Sequence, residues 1–119
     1  MIGFCWGGTK SFEHALHAAD LDAAVVYYGG TPANADFSVV RAPVLGLYGG
    51  DDNRVNATIP AADSGMRAAG KSYESHVFEG AGHGFLRAQS DTVRGVANRA
   101  ASAGAWPLTI AFLRKHLGA

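Results

Sequence analysis

Gly3-Phe4-Cys5-Trp6-Gly7-Gly8 has the form of a nucleophile elbow with cysteine in the place of serine. In such an elbow a strand ends on a strained turn residue and a helix starts at once, so the side chain stands clear of the sheet at the helix N-terminus. Glycines two before and two after the nucleophile are expected where strand and helix backbones come too close for a Cβ. A thiol in that position faces the positive end of the helix dipole, which favours the thiolate. A lone cysteine more often behaves as a small buried hydrophobe. The flanking glycines, the apolar residues before and the helical pattern after move the reading to chemistry at Cys5.

Around this motif lie 119 residues, a length that suits one domain, residues 1–119, with 48% hydrophobic and 17% charged side chains, which fits a packed core and not a disordered chain. Ten basic and ten acidic residues cancel, and no basic cluster could neutralise a run of phosphates, so no nucleic-acid partner is expected. No apolar run has membrane-spanning length and the N-terminus lacks the basic-then-apolar layout of a signal peptide, so no membrane partner is expected either. One cysteine cannot form an intramolecular disulfide, and an unpaired thiol suits a reducing compartment. The expected location is the cytoplasm.

Apolar runs of strand length alternate with helical patterns, which predicts an α/β fold with a mostly parallel four-stranded sheet flanked by helices. The strands are expected at Met1–Cys5, Ala23–Tyr28, Val44–Tyr48 and Ser72–Phe78. The first, second and third are apolar without alternation, as in sheets covered on both faces. Helices are expected at about Gly8–Ala19 and Ile59–Ala69, with a last one inside Asn98–Leu117. There Trp106, Ile110 and Leu113 recur at helical spacing, and Arg114, Lys115 and His116 suit the negative end of the dipole. Pro107 fits best in the first turn, so that helix is expected to open near Ala105.

In open α/β sheets functional groups gather beyond the strand C-termini. Cys5 ends the first strand and Tyr28 the second; Asp51 and Asp52 follow the third, His83 and Phe85 the fourth. A nucleophile, a carboxylate and a histidine thus recur in chain order along one sheet edge, the order used in α/β-hydrolases. His83 is the expected base for the Cys5 proton, the alternative being a turn histidine satisfied by backbone. Gly80, Gly82 and Gly84 around it suit either. His14, His17, His76 and His116 are weaker candidates, each read as a surface or half-buried side chain. Asp52, in Gly49-Gly50-Asp51-Asp52-Asn53-Arg54-Val55, is the expected acid that orients the imidazole; Asp51 competes for the role, and both could merely shape the loop. The backbone N–H of Trp6 is the expected oxyanion-hole donor. The pattern calls for no metal and no cofactor.

The chain resembles the dienelactone hydrolase family of the α/β-hydrolase fold. Gly3-Phe4-Cys5-Trp6-Gly7-Gly8 resembles its cysteine elbow, Pro43-Val44-Leu45-Gly46-Leu47-Tyr48-Gly49-Gly50-Asp51-Asp52 its acid loop, and Gly80-Ala81-Gly82-His83-Gly84-Phe85 its histidine loop. The likeness runs over essentially the whole chain and implies a Cys5, Asp52 and His83 triad. It also implies that Arg87, four residues past the histidine, helps hold a substrate carboxylate, whereas alone it reads as a solvated arginine. Gly84 stands where dienelactone-cleaving members carry a serine. Tyr28 and Phe85, on the same loops, are expected to contact substrate together with Arg87. By the same likeness the chain matches the C-terminal half of the fold, and further strands ahead of the elbow supply the second oxyanion donor and a glutamate that switches the thiol on. The chain is then a fragment or a truncated product.

The expected function is therefore hydrolysis of a small carboxylic ester or lactone through an acyl-thioester on Cys5. Two other readings are an assembly module with little activity alone and a thiol switch at Cys5. A first strand that lies mid-sheet in the α/β-hydrolase order leaves an open edge here, which predicts a homo-oligomer or a complementary N-terminal half as partner.

Overall fold

The computed structural model describes residues 1–118. Two uninterrupted apolar runs make the centre of the sheet: β2, Ala24–Tyr27, and β3, Val44–Gly49, are buried at every position. On either side of them lie β1, Ile2–Phe4, and β4, Tyr73–Phe78. The order is β1-β2-β3-β4 with every pairing parallel. Ile2 lies opposite Val25, Ala24 opposite Val44, and Val44 opposite Tyr73. All four strands therefore end on one edge, where the loops carrying Cys5, Tyr28, Asp52 and His83 collect.

The pleat sends successive residues of the buried strands into two separate cores. Ala24 and Val26 of β2 face α1, Trp6–Ala15, and α3, Ile59–Ala68, through Phe12, Ala62 and Met66. Val25 and Tyr27 face the long C-terminal helix α4, Gly95–Leu117, through Ala101, Ala105 and Phe112. Each fully buried Val, Leu or Phe in these layers contributes about 1.5–3 kcal/mol. A short helix not anticipated from the sequence, α2, Asn53–Asn56, follows β3.

Several boundaries move. The first helix starts at Trp6, directly after Cys5, not at about Gly8, and its regular part stops at Ala15, where Leu16 and His17 close 3-10 turns on Glu13 and His14. The larger correction concerns α4, which runs Gly95–Leu117 with Pro107 in its interior instead of opening near Ala105. Proline is tolerated because Pro107 and Ala103, whose carbonyl loses its usual i+4 donor, both face solvent. The inward stripe is Asn98, Ala101, Ala105, Thr109 and Phe112, whereas Trp106 is 47% exposed. Thr109 donates to the Ala105 carbonyl at 3.0 Å, so the Tyr27 hydroxyl, 2.7 Å away, is the donor in the bond that ties α4 to β2. Among the described residues, no helix is long and apolar enough to cross a membrane.

Candidate active site

Cys5 sits at φ 56°, ψ −124°, a conformation that costs a non-glycine residue about 1–3 kcal/mol. Its N–H still bonds the Tyr27 carbonyl at 3.1 Å, while its own carbonyl accepts from Gly8 at 2.9 Å and opens α1. One residue thus ends the strand and begins the helix. The glycines divide the work differently from the sequence expectation. A Cβ on Gly3 would overlap the Gly7 carbonyl, but one on Gly7 would meet open space. The second close approach belongs to Gly8, whose Cβ would lie 2.6 Å from the Tyr27 carbonyl oxygen and 3.1 Å from Gly29. The Trp6 N–H, first in α1, has no hydrogen-bond partner among the described residues, so a donor stands free beside the thiol. The Trp6 indole is 75% exposed, with the Lys10 ammonium 5.1 Å from its ring centroid.

Asp52 and His83 meet because their two loops are joined by backbone. Gly50 donates to Phe78 at 2.8 Å and Asp51 to Ala81 at 2.9 Å. Asn56 adds a side-chain bond to the Gly49 carbonyl at 2.8 Å. Asp52 is 7% exposed and does not cap α2; one carboxylate oxygen lies 2.6 Å from His83 Nδ1. That pairing leaves Nε2 as the ring nitrogen free for a proton from elsewhere. Asp51, the competing carboxylate, turns to solvent and pairs with Arg94 at 3.2 Å. Gly80 at φ 75° and Gly84 at φ 72° are left-handed turns on either side of His83, a geometry that glycine adopts without strain.

Cys5 and His83 line one open cavity of about 230 Å³, together with Trp6, Thr9, Tyr28 and Arg54. No hydrogen bond joins the thiol to the imidazole among the described residues. Larger hollows exist, one of about 410 Å³ beside Pro32 and Ala61, but that one holds no titratable side chain. The Tyr28 ring stands edge-on to His83, 5.3 Å between centroids. Burial, with smaller contributions from the neighbouring Cys5 and Tyr27, pushes the Tyr28 phenol up to about 12, so it stays a neutral donor at ordinary pH. Among the described residues, no group of three or more His, Cys, Asp or Glu is arranged to hold a metal ion.

Two expected substrate contacts lie elsewhere. Phe85 is fully buried, packed on Tyr28 at 5.1 Å and Phe78 at 5.7 Å, because the chain turns inward after Gly84; it supports the cavity wall from behind. Arg87 is exposed, close enough to Tyr28 to act on its charge, but it does not line the cavity. The arginine that does is Arg54, on α2 two residues after Asp52 and in no ion pair among the described residues. Its position in the acid loop was the available signal. The other histidines stay apart from the cavity, His76 pairing with Glu74 at 3.0 Å on the surface of β4.

A parallel sheet with a cysteine, a carboxylate and a histidine on the loops after β1, β3 and β4, all along one edge, is an α/β-hydrolase arrangement. Across residues 1–117 the chain matches the dienelactone hydrolase family, and it belongs to that family. It is 31% identical over 115 residues to a protein of Saccharolobus solfataricus assigned as a carboxymethylenebutenolidase, covering 96% of this chain and 43% of that one. The crystal structure of a Klebsiella pneumoniae protein assigned as a dienelactone hydrolase matches with a TM-score of 0.77 at 30% identity, over 93% of this chain and 49% of its own. A dienelactone hydrolase-like promiscuous phosphotriesterase from metagenomic libraries matches with a TM-score of 0.81 at 25% identity, over 97% and 51%. The chain thus spans about half the length of the relatives it matches.

Proposed function

We propose that this chain carries the nucleophile, acid and base of a carboxylic-ester or lactone hydrolase acting through an acyl-thioester on Cys5. The observation that carries the reading is the shared cavity: a thiol on a strained elbow lines it together with an imidazole whose Nδ1 is bonded to a buried carboxylate. His83 Nε2 takes the thiol proton, Asp52 stabilises the imidazolium, and the thiolate adds to the substrate carbonyl carbon. The resulting oxyanion accepts from the Trp6 N–H. Collapse breaks the C–O bond of the ester, and the leaving alkoxide takes the proton held on His83. Water then gives a proton to His83 and its hydroxyl to the thioester carbon; collapse releases the acid and returns the proton to sulfur. The name carried by the Saccharolobus relative directs the substrate toward a lactone.

Hydrolysis of p-nitrophenyl acetate, with intact-mass measurement of the acetylated chain, tests this. The expected result is an acetyl adduct on Cys5 that is absent from Cys5→Ala, with turnover lost in both Cys5→Ala and His83→Ala. Turnover unchanged in either variant sinks the reading.

A second observation favours an assembly role for the same chain. The outer edge of β1 pairs with no strand among the described residues, and Ile2 and Phe4 on that strand are 37% and 41% exposed. Such an edge recruits another strand. The partner is a second copy or a complementary half of the fold, and either brings groups to the Cys5 end of the sheet. Sedimentation equilibrium at micromolar concentration is expected to give a dimer or larger species; a cooperatively folding monomer argues against self-assembly.

A further inference from the structure

We propose that Asn98 is a positioning residue for His83, its buried amide gripping the histidine loop at two points and thereby setting the angle of the imidazole toward Asp52 and Cys5. The functional sense of this rests on the hydrolase reading above. Asn98 lies in the first turn of α4, is 2% exposed, and contacts no part of the cavity directly. Its Oδ1 accepts from the Gly82 N–H at 3.0 Å, and its Nδ2 donates to the Ala88 carbonyl at 2.7 Å. Gly82 immediately precedes His83, and Ala88 closes the turn that follows it. One side chain therefore spans the whole segment that carries the base.

The segment needs such a constraint. His83 has a left-handed glycine directly after it and a second three residues before, so its backbone has little stiffness of its own. Its side chain is 35% exposed, held at Nδ1 by Asp52 and on one face by the edge of Tyr28. Other bonds from α4 reach the loop farther away: Ser102 to the Phe85 carbonyl at 3.4 Å, and the exposed Arg99 to the Gln89 carbonyl at 2.6 Å. Asn98 is the one that is buried and reaches the residue next to His83. An amide suits both contacts, because one end must accept and the other donate. Aspartate supplies no donor at ordinary pH, and leucine supplies neither group.

The test compares Asn98→Leu and Asn98→Asp in the 119-residue chain, with Arg99→Ala as a control that removes a bond to the same loop at its exposed end. Two readouts are taken. Proton NMR follows the downfield Nδ1–H resonance of the His83–Asp52 hydrogen bond, and p-nitrophenyl acetate hydrolysis gives kcat and KM. The wild type and Arg99→Ala are expected to show the resonance. In both Asn98 variants it is expected to broaden or move upfield, while the methyl signals of Leu45 and Leu47 keep their dispersion. The expected kcat falls about a hundredfold, the cost of roughly an ångström of misplacement, with KM changed by less than about threefold. An unchanged resonance in a folded Asn98→Asp chain overturns the proposal, whatever the turnover. Should Asn98→Leu fail to fold, Asn98→Asp decides; loss of core dispersion in both assigns Asn98 a purely structural role and also overturns it. A wild type without hydrolysis refutes the hydrolase reading, and the resonance still decides the positioning.

Discussion

Cys5 concentrates backbone strain in a single residue. Its φ of 56° is uncomfortable for any side chain, yet the backbone there is fixed by bonds to Tyr27, Gly8 and Thr9. Cys5→Gly removes the strain at the expense of a more flexible unfolded chain, and the balance is a gain of about 1 kcal/mol. Urea unfolding at unchanged m-value measures it; a Cys5→Gly chain less stable than wild type contradicts the strain. At this scale the sequence was legible where a motif dictated backbone, as with the strained turn at Cys5; between Asp51 and Asp52 it left a choice, and the structure turns Asp52 toward His83 and Asp51 toward Arg94. Phe85, expected against substrate, is buried behind the cavity, because a place on the histidine loop says nothing about which way the side chain turns. Asn98 was silent, since a buried amide is spelled like a surface one.

Elements were legible in proportion to their burial. β2 and β3 are covered on both faces, so their apolar runs needed no periodicity to be recognised. Apart from Phe112, α4 buries a glycine, alanines, a threonine and an asparagine, small or polar residues that make a weak apolar stripe, and its proline invites the reading of a helix start. Only the packing against Val25, Tyr27 and Leu47 carries the helix through that position. Because Pro107 is exposed and leaves the Ala103 carbonyl without its intrahelical donor, Pro107→Ala is expected to stabilise the chain by about 1–3 kcal/mol. Chemical denaturation reads the difference; a destabilised variant implies that Pro107 shapes a bend the packing requires.

For the whole molecule, all four tyrosines respond to alkali in the same sense. Burial pushes Tyr28 and Tyr73 up to about 12 from the ordinary 10, and raises Tyr27 and Tyr48 in the same direction. A phenol whose folded pKa exceeds its unfolded one supports the fold fully below about pH 10 and withdraws that support as the pH climbs through about 12. Absorbance at the phenolate band is therefore expected to rise together with loss of circular dichroism in one step; four phenols titrating near 10 in an intact fold would contradict the burial. The order of the sheet has a consequence in time. Because β1, β2, β3 and β4 lie side by side in the order of the chain, each strand leaving a ribosome finds its neighbour already laid down, and none must be threaded between two others. Of the three site residues Cys5 emerges first and His83 last. A polypeptide interrupted midway carries Cys5 with no His83 near it, and the cavity that the two line closes only when the loop after β4 has joined the rest.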